Sequence, residues 1–193
     1  MNHEKMNGRD AVLACLTGNS GASEQMQARG FFHATLTRDG EIIWEDEFEN
    51  TVVTVGKNAM LDSALAGSAY TVTGPFMGLV SSVSFTAISA ADTMASHSGW
   101  TEAGATNAPT YSGTRKTAAW SAASAGAKAL SAALAFTFTG AGTVKGAFLV
   151  LGSGAVNTID STAGVLFSAG LFTGGDRLVA NTDVLNVSYS VSL

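Results

Sequence analysis

The chain has 193 residues, a formal net charge of -5 and only 13% charged residues, about half the usual share. With 46% hydrophobic residues, two prolines and one cysteine, it is not a charge-rich disordered segment, a collagen-like repeat or a disulfide-stapled domain. Alanine, glycine, serine and threonine supply roughly half of it, and the whole net charge falls within residues 1–50. The rest is neutral, rich in small residues and poorly protected from association. That pattern points to life inside an assembly and away from a basic nucleic-acid binder.

In chain order, residues 1–28 lack a period and read as an extended N-terminal arm. No apolar leader follows residues 1–10, so synthesis in a cytoplasm is expected. Cys15 has no partner in the chain and reads as a buried thiol. Residues 31–37 read as a strand and Asp39-Gly40 as the centre of a hairpin turn. The return strand begins at Glu41 and runs on towards Val52. Residues 57–66 read as a short helix with Met60, Leu61, Ala64 and Leu65 on one face. An extended run at 70–73 and a strand at 76–85 follow, then one or two helical turns at 88–96 and a loop at 101–113.

The second half is more regular. Strands are expected at 115–120, 134–138, 144–151, 165–172, 177–179 and 184–193, separated by glycine turns. Residues 121–130 fit helix by propensity and loop or strand by their neighbours. The last segment alternates strictly: Leu185, Val187, Tyr189, Val191 and Leu193 interleave with Asn186, Ser188, Ser190 and Ser192. The expected fold is mainly β, an antiparallel β-sandwich or jelly-roll-like barrel with one or two short helices. Residues 29–193 form a single β-rich domain behind the arm. No apolar run is long enough for a membrane helix.

Chemistry is sparse. His3, His33 and His97 match no compact zinc spacing, and Asp92, His97 and Glu102 would need the chain to fold back on itself. The acidic residues Glu41, Glu45, Asp46, Glu47 and Glu49 lie along a strand, with Glu45 and Glu47 pointing one way and Asp46 the other. Their spacing is not that of a calcium loop, and they read as a solvated or partner-facing edge that discourages stray sheet pairing. No serine sits in a nucleophile elbow and no glycine cluster forms a phosphate loop. No catalytic residue, cofactor or metal site is therefore assigned. Trp44, Glu45, Glu47, Trp100, Arg115 and Lys116 are the candidate interface residues. Trp100, in a glycine-rich stretch, is the best candidate for an exposed contact. Arg115, Lys116 and Lys145 are placed to pair with the acidic edge of a neighbouring subunit.

Three regions carry a resemblance. One is Gly40-Glu41 through Trp44, then Asn50, Val52, Val53, Gly56 and Asn58. The second is Ala91-Asp92-Thr93-Met94-Ala95-Ser96-His97-Ser98-Gly99-Trp100-Thr101-Glu102, with Tyr111 and Arg115 after it. The third is Phe172-Thr173-Gly174-Gly175-Asp176-Arg177 with the closing strand 183–193. Together they resemble small structural proteins encoded among tailed-bacteriophage virion genes, most of all a head decoration, or cement, protein. The resemblance implies a non-enzymatic role on the outer surface of the capsid, between subunits of the major capsid protein, as a homo-oligomer with a trimer favoured. It implies no direct contact with nucleic acid or membrane. A tail, baseplate or fibre-associated protein, with a host-receptor role, is the second expectation. A glycan-binding or glycan-acting module built on the tryptophans is the third.

Overall fold

The computed structural model describes residues 28–65 and 73–192. The expected arm, apart from Ala28, lies outside the described residues, as do His3, Cys15 and residues 70–72. The protein is mainly β. Its strands are β1 (Arg29–Arg38), β2 (Glu41–Val52), β3 (Phe76–Ser81), β4 (Glu102–Gly104), β5 (Asn107–Thr110) and β6 (Lys116–Thr117). They continue as β7 (Ala127–Ala129), β8 (Leu134–Thr137), β9 (Gly142–Leu151), β10 (Val165–Leu171), β11 (Arg177–Val179) and β12 (Val184–Ser192). A single helix, α1 (Thr54–Leu65), is present among the described residues.

All strands belong to one hydrogen-bonded sheet with the order β5-β4-β3-β9-β10-β2-β1-β12-β7, while β11 adds to β9, β6 to β3 and β8 to β12. Every pairing is antiparallel except β4 with β5. The sheet folds over at β2. Residues 41–49 of that strand pair with β1, and residues 50–52 pair with β10. One strand thus passes from one half of a sandwich to the other. The free ends are joined across the fold by two isolated bridges, Tyr111 to Phe138 and Trp120 to Leu130. Ser112 N donates to the Thr137 carbonyl (2.8 Å) and Thr139 N to the Thr110 carbonyl (2.9 Å).

The two halves share a core. Phe32, Leu36, Phe136, Leu185, Val187 and Tyr189 come from the first half, and Met77, Leu79, Ala147 and Leu149 from the second. Along β1 and β12 buried residues alternate with half-exposed ones, as a sheet with one wet face requires. β3, β9 and β10 differ, being buried on both faces. Their second face, with Val80, Phe148, Val150, Leu166 and Ala169, packs with Val53, Met94 and Trp100 in an outer layer formed by the start of α1 and residues 82–100.

The expected elements fare unevenly. The β1–β2 hairpin is present, with Asp39 at φ +52° and Gly40 at φ +86°, as a two-residue turn with left-handed central residues requires. The helix begins three residues earlier than expected and buries another face. Ala59 is buried and Met60 partly so, while Leu61 and Ala64 face solvent. The cause is Gly56, where a Cβ would overlap the Phe167 carbonyl oxygen. The helix seats on β10 through its smallest residues, which a search for large periodic side chains passes over.

No helix forms at 88–96, which instead holds two hydrogen-bonded turns, Asp92 N to Ser89 O at 3.0 Å and Ser96 N to Thr93 O at 3.2 Å. Ser89 N donates to Asp92 Oδ2 (2.9 Å) and Ser96 N to Thr93 Oγ1 (2.9 Å), so side chains take up backbone groups that a helix would use. The expected loop at 101–113 holds β4 and β5, the strand at 76–85 ends at Ser81, and the strand at 115–120 shrinks to Lys116–Thr117.

Two glycines separate backbone freedom from close packing. Gly40 has a left-handed φ and open space around its Cβ position, whereas Gly56 lacks space. Gly40→Ala is expected to cost about 1 kcal/mol. Gly56→Ala is expected to cost about 1–3 kcal/mol by overpacking. Urea unfolding of both variants checks this; an unchanged midpoint for Gly56→Ala would show that α1 does not depend on its glycine contact.

Candidate interaction surface

The hairpin end is rigidly held. Arg38 grips Asp183 with two hydrogen bonds, Nε to Oδ1 at 2.8 Å and Nη2 to Oδ2 at 2.6 Å, and Ala180 N donates to the same carboxylate at 2.9 Å. This ties the β1–β2 turn to the β11–β12 turn. The paired side-chain bonds hold the Asp183 carboxyl below the usual carboxylate range and raise the Arg38 guanidinium.

Trp44 is braced from two sides. The Arg177 guanidinium lies 4.6 Å from its ring centre and Phe172 meets it edge-on at 4.8 Å. Asp46, two residues along on the same face, accepts from Thr173 Oγ1 and from Gly174 N at 3.0 Å. Partial burial raises the Asp46 carboxyl, but these hydrogen bonds outweigh it and the group ends below its ordinary range.

Beside this scaffold the apolar pattern breaks. Leu36 pairs with Trp44 and Thr37 with Ile42, leaving Ile43 as an extra residue in a bulge. Ile42 is 62% exposed and Ile43 49%. Two large aliphatic side chains therefore stand in solvent on a tip whose backbone is fixed by charged and aromatic contacts.

The outward face of the same half carries the acidic residues. Glu49, Glu47 and Glu45 stand opposite Phe31, His33 and Thr35 on β1, which stand opposite Ser190, Ser188 and Asn186 on β12. His33 Nε2 meets Glu45 Oε1 at 2.7 Å. Glu45 and Glu47 are exposed on one face while Asp46 turns to the other, as the alternation of β2 predicts.

Three expected contact residues lie elsewhere. Trp100 is 2% exposed. Its Nε1 donates to Asp92 Oδ2 at 3.0 Å, and its ring packs on Phe148 and against His97. It belongs to the outer-layer core, because its ring is the largest apolar surface available to cover β9. Arg115 is 1% exposed and bonds Glu102 through Nε to Oε1 (2.9 Å) and Nη2 to Oε2 (2.7 Å). It also donates to the carbonyls of Val156 and Ser161, while Asp160 N donates to Glu102. Arg115 thus pins residues 156–161 to β4 and does not reach a neighbour.

Lys116 folds back over Tyr111 and Phe136 and donates to the Ser112 carbonyl at 2.8 Å. Burial lowers its ammonium. Lys145 pairs with Asp176 of its own chain at 2.8 Å.

A small cleft of about 130 Å³ opens beside this buried pair, lined by His97, Trp100, Glu102, Asn107 and Asp160 among others. Its carboxylates are engaged: Glu102 with Arg115 and the Asp160 amide, and Asp160 with the Thr106 amide. Burial raises the Glu102 carboxyl against the opposing pull of Arg115, and burial lowers the His97 imidazole. Among the described residues, no group of three or more His, Cys, Asp or Glu side chains is arranged to hold a metal ion. No described helix is long and apolar enough to cross a membrane.

Sequence reasoning missed the exposed Ile42-Ile43 pair. Its signal is visible in retrospect, since two adjacent isoleucines beside a turn cannot both face one core. It also missed the Arg38–Asp183 and Arg115–Glu102 pairs, whose members lie 145 and 13 residues apart. No protein-family model matches the chain, and no curated protein or solved structure matches it.

Removing Arg115 would leave Glu102 buried without its partner. Arg115→Ala is expected to lose about 3–5 kcal/mol in urea unfolding, with much of the loss restored by adding Glu102→Leu. The Asp183 contribution has a defined pH window. It is complete above the unfolded-state value of about 4 and is lost as pH falls through the lowered folded-state value. Asp183→Asn should therefore lower the urea midpoint at pH 7. The gap to the parent should close progressively below about pH 4; an unchanged gap on acidification would exclude this linkage.

Proposed function

We propose that this chain is a non-enzymatic virion structural protein of a tailed bacteriophage, a decoration protein that binds between subunits of the major capsid protein. In this reading it acts on the outer surface of the head, as a homo-oligomer with a trimer favoured. The observation that carries the reading is the hairpin tip. Ile42 and Ile43 are exposed beside Trp44, on a backbone fixed by Arg38–Asp183 and Arg177. Rigid aliphatic and aromatic anchors bind with little loss of conformational freedom. Most acidic groups with candidate roles are already engaged within the chain, which fits work done by contact and not by turnover.

The mechanism follows from the same geometry. Burial of Ile42 and Ile43 against the shell would supply affinity at each site, and repetition over the lattice would sum it. The exposed Glu45, Glu47 and Glu49 would steer the protein towards a basic partner surface and fix its orientation. The bulge at Ile43 disfavours continuous strand pairing along this edge, so side-chain docking is the expected mode.

Particle imaging tests the location, with hundreds of copies over the head lattice expected; density at the tail would overturn the head assignment. A double variant, Ile42→Asp with Ile43→Asp, should fold as the parent does. It should bind heads at least about 30-fold more weakly and leave them as heat-sensitive as heads lacking the protein. Undiminished binding would remove the hairpin tip from the interface.

A further inference from the structure

The outer face of β9, β10 and β11 is only partly covered among the described residues. The start of α1 and residues 82–100 pack on Phe148, Val150, Leu166 and Ala169. Where β10 meets the end of β2, an open groove of about 380 Å³ remains, lined by Thr51, Phe85, Ile88, Ala169 and Leu171 among others. Leu171 is 37% exposed and lies two residues beyond Ala169, on the same face of β10.

An apolar knob stands on that face too. Val179 of β11 points into the shared core, so its neighbour Leu178 points away from the core. At 72% exposed, Leu178 is the most exposed large hydrophobic residue among the described residues. It stands opposite Thr143 of β9, while Leu171 stands opposite Gly146. Lys145 comes between those two positions. Its ammonium pairs with Asp176 at 2.8 Å and lies 4.6 Å from the centre of the Phe85 ring. One face thus carries a knob, a groove and one charge of each sign.

We propose that this face is a contact between two copies of the chain, with Leu178 of each seated in the groove of the other and the two Lys145–Asp176 pairs meeting between them. A two-fold contact needs a self-complementary surface, on which each feature meets its counterpart twice. A knob and a groove on one face satisfy that need. So does an ion pair whose members can exchange partners with the same pair on a second copy. The pair also disfavours a foreign partner of one dominant charge, because its two members cancel at the middle of the face. Seating Leu178 and filling the groove removes apolar surface from water on both copies, which supplies the attraction. The face belongs to the other half of the sandwich from the hairpin tip. The contact is two-fold, distinct from any three-fold contact implied by the phage reading. It does not rest on that reading, and either can fail alone.

Sedimentation velocity on the full-length protein tests the contact. The parent should self-associate, and Leu178→Asp should weaken that association at least about 10-fold. The variant should keep the parent's urea midpoint in dilute solution, because the side chain is exposed in the single chain. Charge reversal separates a contact between copies from support within one. Lys145→Glu and Asp176→Lys should each associate more weakly alone, and an equimolar mixture of the two should recover association. A pair that serves only its own chain would not be restored by mixing. A parent that stays monomeric at about 100 μM, a Leu178→Asp variant that associates as the parent does, or a mixture no stronger than its components would each overturn the proposal.

Discussion

The constraint on which the molecule rests is that β9 is apolar on both faces. Ala147 and Leu149 point into the shared core, and Phe148 and Val150 point away from it. Such a strand is stable only between two covering layers. One cover is the other half of the sheet, brought over by the passage of β2 from β1 to β10. The other is irregular chain, anchored where it crosses the strand. Trp100 is that anchor. Its ring lies on Phe148, and its nitrogen is held by Asp92 within a local turn.

The charged groups of the body serve the same need. A layer made of loops carries many backbone groups that no ladder satisfies. Arg115 answers several of them at once, taking two carbonyls from residues 156–161 while its partner Glu102 accepts an amide from the same segment. Among the described residues, exposed acidic charge gathers along β2 in Glu41, Glu45, Glu47 and Glu49, beside the hairpin tip.

Much of this was legible in the sequence where side chains alternate and turns are marked by glycine. The β1–β2 hairpin, β9, β10 and β12 could be placed because burial on one or both faces writes itself into apolar periodicity. The outer layer could not. Its residues are small, polar and locally hydrogen-bonded, so 88–96 resembled a helix, and the glycine contact that seats α1 carries no hydrophobic signal. The interface candidates divided in the same way. Glu45 and Glu47 followed from strand alternation. Trp100 and Arg115 were misjudged because their burial depends on partners brought together by the fold, and a tryptophan near glycines reads as exposed until β9 is seen beneath it.

The closure of the sheet has a mechanical meaning. Along β1, β2 and β12 the strands are held by long ladders, in which a stretching force is divided over many hydrogen bonds in parallel. Across the Tyr111–Phe138 and Trp120–Leu130 bridges only a few bonds stand in its way. Along that seam the sheet contributes fewer hydrogen bonds than along the β1, β2 and β12 ladders, so there the shared core carries more of the burden of holding the two halves together.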